Sequence, residues 1–169
     1  MFKNEKLADI YSTYILTKNI HPFDRHYVFA VFWTSNKKFK AEILQMLDTA
    51  INDKDVEKLQ FCIAASFRDG LDSEYSDRFY KIILDTWHEE HEDIVHNISN
   101  LKDERFCEAL FEIAMNGSTY RKFDDENEST LRKCVHALKA INTKKSFDIL
   151  TKLTETQNPN VQYALDMYK

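Results

Sequence analysis

Only two glycines and two prolines punctuate 169 residues, and that scarcity limits the possible folds more than any other feature. Sandwiches, barrels and doubly wound sheets need many tight turns, and those turns draw on Gly, Asn-Gly or Pro-Gly chemistry. Paired helices need far fewer, so the chain is expected to be all-α. An apolar fraction of 43% beside a charged fraction of 30% fits a folded globular chain rather than a disordered one. The length suits a single helical domain, 1–169, with one continuous core.

Apolar residues recur at helical spacing along the whole chain, enough for about ten helices. Leu7, Ile10, Tyr14 and Ile15 mark the first. Pro22 opens a second that holds Phe23, Tyr27, Val31 and Phe32, with Ser35 and Asn36 breaking it. Phe39, Ile43, Met46, Leu47 and Ala50 mark a third. Asp53 is the expected N-cap of a helix carrying Val56, Leu59, Ile63 and Phe67, and Gly70 its stop. Tyr75, Phe79, Ile82, Ile83 and Thr86 continue to about Trp87, followed by Ile94, Val95, Ile98 and Leu101. Asp103 then caps a helix with Phe106, Leu110 and Ile113, closed by Gly117. Beyond a polar loop at 118–128 lie Leu131, Val135, Leu138 and Ile141, then Phe147, Leu150 and Leu153. Asn158-Pro159 should cap and start the last helix, with Val161, Leu165 and Tyr168.

A 40-residue shift lays Val95-His96 on Val135-His136, and Ile98, Leu101, Leu110 and Ile113 on Leu138, Ile141, Leu150 and Leu153. A shift of 31 gives a fainter register, with Ala64 on Val95 and Phe79 on Leu110. Recurrence of a helix–turn–helix unit points to an α-solenoid of antiparallel helix pairs. The segment Leu131–Tyr168, with its Asn158-Pro159-x-Val161 entry to the last helix, resembles a HEAT repeat followed by the start of another. The resemblance extends over about residues 55–169, with 53–169 as HEAT-like pairs and 1–52 as an N-terminal helical cap. It implies a fold and not an activity.

Charge is unevenly placed. Residues 70–130 carry 6 basic and 16 acidic groups, whereas 131–169 carry 7 and 3. The acidic block argues against nucleic acid and for a basic protein as partner. Cys62, Cys107 and Cys134 are odd in number and set in apolar patterns, as expected of reduced core residues in a cytoplasmic protein. The start is polar, and the longest apolar run, Tyr27–Trp33, is far short of the roughly 20 residues that span a bilayer. No membrane role is expected.

His88-Glu89-Glu90-His91-Glu92, with Asp93 and His96 beyond, is the densest chemistry-bearing run. His88, Glu92 and His96 at i, i+4 spacing would share a helix face as metal ligands, but His-Glu-x-x-His is absent, because His88 and His91 are three apart. A solvated first helical turn, its carboxylates facing the dipole, explains the run without a metal. Neither a glycine-flanked nucleophile nor a phosphate loop is present. No catalytic residue, metal or cofactor is expected, and the chain is not expected to be an enzyme.

Asp124, Asp125, Glu126 and Glu128 form a second acidic cluster, nearly aligned by the repeat with Glu89, Glu90, Glu92 and Asp93. Equivalent positions in stacked repeats share an edge, so both clusters should gather into one acidic rim. Tyr11, Tyr80, Tyr120 and Tyr163 fall beside the apolar stripes, and Tyr120 lies near the acidic loop, as interface residues do. Small acidic proteins of this kind look like the immunity proteins of bacterial toxin–immunity pairs, including those of contact-dependent growth inhibition. That resemblance implies a basic, nuclease-type toxin domain as the partner, held through the acidic surface. Three alternatives stay open: a HEAT-like adaptor binding a peptide, a metal-dependent hydrolase at His88, Glu92 and His96, or a helical-repeat enzyme on nucleic acid. The last would have to draw a basic groove from Arg132, Lys133, Lys139, Lys144 and Lys145.

Overall fold

A computed structural model of the chain describes residues 5–17 and 39–168. The described residues form ten α-helices and one 3-10 turn, with no strand among them. The fold is all-α. The expected helix at 22–33 and its breakers Ser35 and Asn36 lie outside the described residues. Two compact units divide the chain, Met1–Leu71 and Asp72–Lys169. No helix of the described residues is long and apolar enough to cross a membrane.

The first unit contains α1 (Glu5–Thr17), α2 (Lys40–Asp53) and α3 (Val56–Asp69), with α3 packed on both others. Leu7, Ile10, Ile43, Leu47, Leu59 and Phe61 are fully enclosed, which is the periodic stripe at work. Tyr11 and Tyr14 present their ring edges to Phe61 at centroid distances of 5.1 and 5.4 Å. Asp69, buried at the end of α3, accepts the Phe39 N–H at 2.8 Å and so satisfies a donor at the entrance of α2. The N-cap of α3 is Asp55, which accepts from the Lys58 N–H, and not Asp53, the last residue of α2. Either aspartate suits a cap; the αL turn at Lys54 (φ 53°) decides between them. Gly70 closes α3 at φ 100°, a conformation that favours glycine. Phe67, expected in the core, is 44% exposed.

The second unit runs through α4 (Ser73–Ile82), α5 (His91–Leu101), a 3-10 turn (Glu104–Phe106), α6 (Cys107–Met115), the single-turn α7 (Gly117–Tyr120), α8 (Ser129–Ile141), α9 (Lys144–Glu155) and α10 (Pro159–Asp166). The central element is α8, which packs on α5, α6, α9 and α10, while α6 also packs on α9 and α4 on α5. Its residues Leu131, Cys134, Val135, Ala137 and Leu138 are buried. The 40-residue register extends to the backbone. Lys102 ends α5 in the left-handed region at φ 54°, and its counterpart Asn142 ends α8 at φ 58°. The next residues, Asp103 and Thr143, are extended; Asp103 caps the 3-10 turn, and Thr143 caps α9 in a capping box with Ser146. Helix stops made from αL Lys and Asn explain how the chain manages with so little glycine.

Three further expectations change in this unit. Helix α4 stops at Ile82 rather than near Trp87, and an irregular segment, 83–90, leads to α5. Phe147 and Tyr168 are 42% and 51% exposed, with Ile149 taking the buried position on α9. Gly117 is not a helix stop but the first residue of α7, after Asn116 has already ended α6.

Candidate functional site

Helix α6 ends with the carbonyls of Ile113 and Ala114 lacking helical partners, as every helix end does. Arg121 reaches back and satisfies both, its Nε donating to Ile113 at 3.1 Å and one terminal nitrogen to Ala114 at 3.0 Å. Its other terminal nitrogen donates to Asp124 at 3.1 Å and Glu128 at 3.0 Å. Only 9% of this side chain is exposed. Gly117 leaves room for the approach, because a Cβ there would lie 3.1 Å from the guanidinium and push it aside by a few tenths of an ångström.

Asp124 then caps α8. It accepts from the Thr130 N–H at 2.9 Å, the Thr130 hydroxyl at 2.6 Å, the Ser129 hydroxyl at 3.3 Å and the Leu131 N–H at 3.4 Å. Burial works to raise its pKa, but the Thr130 and Arg121 hydrogen bonds outweigh it and hold the carboxyl below the usual range. Glu128, at φ 44°, accepts from Asn158 at 2.7 Å and Asn160 at 3.0 Å as well as from Arg121. Burial again raises and these donors lower, with a net depression. Asn158 in turn caps α10 through the Asn160 N–H. One guanidinium thus ties the end of α6 to the starts of α8 and α10.

The segment between these fixed points faces water. Phe123 is 77% exposed. Asp125 and Glu126 are exposed; Asp125 accepts from the Asn127 N–H at 2.8 Å, the turn that aspartate favours, and the Glu126 carbonyl accepts from Asn160 at 3.0 Å. The other acidic cluster comes alongside. Glu89 pairs with Lys122 at 3.4 Å, and Glu92 pairs with Lys133 of α8 at 2.9 Å. Glu89, His91, Glu92, Tyr120, Lys122 and Phe123 line one small pocket of about 30 Å³. That holds a water or two, against the roughly 300 Å³ and more of a small-molecule site. Glu90 sits at the entrance of α5, and Asp93 is exposed in its first turn, with no ion pair to it, Asp125 or Glu126 among the described residues.

The two acidic segments therefore meet at one end of the second unit. Asp124 and Glu128 are committed to internal bonds, and Glu89 and Glu92 are each matched by a lysine. Asp93, Asp125 and Glu126 keep an outward charge. Nothing in the charge pattern sets Arg121 apart from the other basic residues of 70–130, whereas Phe123 stands out as an aromatic inside an otherwise polar loop.

Two buried histidines, His88 and His91, pack together where the 83–90 segment enters α5. His88, outside the helix, donates from Nε2 to the Ile82 carbonyl at 3.0 Å and accepts the Glu90 N–H at Nδ1 at 3.2 Å. Since a carbonyl only accepts and an amide N–H only donates, the ring is a neutral Nε2–H tautomer. His91 donates from Nε2 to the Asp85 carbonyl at 3.0 Å, stacks near His88 at 4.8 Å, and meets the Tyr120 ring at 5.1 Å. Burial, with His88 adding, pushes the His91 pKa down to about 4, and burial lowers that of His88. His88, Glu92 and His96 do not share a helix face, because α5 begins only at His91; no metal-holding group occurs among the described residues. Cys62, Cys107 and Cys134 are buried free thiols, and burial pushes Cys134 up to about 12. His136 pairs through Nδ1 with the Tyr168 hydroxyl at 2.8 Å.

No family model matches the chain. No curated protein and no solved structure matches it either. Its function has to be read from its own residues.

Proposed function

We propose that this chain is a cytoplasmic protein-binding module, its second unit a HEAT-like stack of helix pairs, and that the 121–128 loop docks a basic protein. One observation carries the proposal. Phe123 projects 77% exposed from a loop whose ends are fixed by Arg121, Asp124 and Glu128. An exposed aromatic held in place is a preorganised anchor, and it loses little conformational freedom on binding. Asp125, Glu126 and Asp93 supply an acidic surround that favours and steers a cationic partner. The small pocket and the locked, neutral histidines support binding rather than catalysis.

An immunity protein against a basic, nuclease-type toxin fits these features best. A nuclease surface must be cationic to hold phosphates, and the same cations can accept carboxylates. Calorimetric titration against a panel of small basic nuclease domains tests this. One of them should bind in the nanomolar range, more weakly as salt rises, and Phe123→Ala should weaken it about 30-fold, the ordinary effect of losing an interface hot spot. Absence of binding across the panel, or binding indifferent to both Phe123→Ala and the double change Asp125→Asn, Glu126→Gln, overturns the proposal.

A further inference from the structure

Opposite in sign to the acidic loop, a second surface runs along the seam between α8 and α10. Arg132, His136 and Lys139 fall at i, i+4 and i+7 on α8 and so share one face. The Arg132 guanidinium lies 5.5 Å from the Tyr163 ring centroid, and the Lys139 ammonium lies between Phe147 at 5.3 Å and Tyr168 at 5.4 Å. Tyr163 and Tyr168 are 58% and 51% exposed. No carboxylate pairs with Arg132 or Lys139 among the described residues, whereas their neighbours Lys133 and Lys145 pair with Glu92 and Glu108.

A ring that meets a cation by its face restrains the long side chain and leaves its N–H donors available. Arg132 and Lys139 are thus held in position without being neutralised, which lowers the ordering cost of receiving an anion. Spacing narrows the ligand. Seven residues of helix separate the two by about 10 Å, and a polyproline II segment, with three residues per turn, returns residues i and i+3 to the same face about 9 Å apart. Carboxylates three apart on such a segment face the same way and reach both cations at once. The exposed tyrosine rings offer apolar flanks to the residues between. A long polyanion would in addition run against a unit that carries 16 acidic groups over residues 70–130, a repulsion that a short segment avoids.

We propose that the α8–α10 seam binds an acidic peptide segment in the polyproline II conformation with carboxylates at i and i+3, engaged by Arg132 and Lys139. The site is separate from the 121–128 loop and does not rest on the immunity reading. The test uses the full chain on an array of dodecapeptides that place two or three Asp or Glu residues at every spacing, with a ten-nucleotide oligothymidine as rival probe. Peptides with the i, i+3 spacing should be retained above all others. In fluorescence anisotropy the best of them should bind at least 10-fold more weakly to Arg132→Gln and to Lys139→Gln. Asp125→Asn, Glu126→Gln should leave that binding unchanged, which separates this site from the loop. Circular dichroism of each variant checks its fold, and Arg132→Lys, which keeps the charge, should retain part of the affinity. No enrichment of acidic peptides, equal binding by both charge-removed variants, or preference for oligothymidine overturns the proposal.

Discussion

Replacing Arg121 by Met should destabilise the second unit more than any other surface-proximal change. Methionine fills most of the volume while removing every donor. Asp124 and Glu128, 6% and 24% exposed, would then lose their common counter-charge. The Ile113 and Ala114 carbonyls would lose their partners as well. Removing one member of a buried ion pair costs about 3–5 kcal/mol. Each orphaned carbonyl would add about 1–3 kcal/mol if fully dry. Partial water entry beside Glu128 keeps the total near 3–5 kcal/mol rather than the sum. For a unit of this size that is a fall in Tm of roughly 15–25 °C, measurable by circular dichroism. Arg121→Lys keeps the charge without the fork and should lose about 2 kcal/mol. Gly117→Ala provides an internal control. With Arg121 present, the new Cβ at 3.1 Å from an immobilised guanidinium should destabilise by about 1 kcal/mol. Combined with Arg121→Met it should be neutral or stabilising, because alanine is then the better helix former. A loss below about 1 kcal/mol for Arg121→Met, or no change of sign for Gly117→Ala, would refute the bracing role of Arg121.

Three further outcomes are expected. Stability should fall as pH drops from about 6.5 to 4. The unfolded chain protonates His91 first, while the folded chain holds its pKa at about 4, so roughly 2–3 kcal/mol is lost across that window; urea titrations should show the slope, and His91→Gln should reduce it, leaving the part that His88 contributes in the same direction. Asp124 and Glu128, whose pKa values are depressed, contribute in the same sense at lower pH, losing stability as they protonate. Lys102→Gly should stabilise by about 0.5–1 kcal/mol in thermal melts, since Lys102 sits at φ 54° where glycine is at ease.

The apolar stripes made most helices legible, because burial selects a 3.6-residue period that no other element mimics. Their ends were less so. The stripe of α4 runs on through Ile83 and Thr86, yet the chain turns there because the carbonyls of Ile82 and Asp85 are held by His88 and His91, side chains whose hydrogen bonds periodicity does not encode. Asp53 and Asp55 are equal as caps by composition; only the Lys54 turn separates them. The acidic loop shows the same division. Its charges were plain, but Glu128 meets Asn158 and Asn160 across about thirty residues of sequence, and Arg121 meets carbonyls that carry no side-chain signature. Carboxylates that face outward and carboxylates that hold the fold look alike until their neighbours are known.

Hydrogen exchange on the chain, free and bound to the nuclease domain that the titrations select, locates the docking surface without altering a residue. Protection on binding should centre on 119–128 and extend to 89–93, leaving the α8–α10 seam unchanged. Protection confined to the seam, or to the first unit, would contradict the reading of the braced loop as the surface that holds a basic partner.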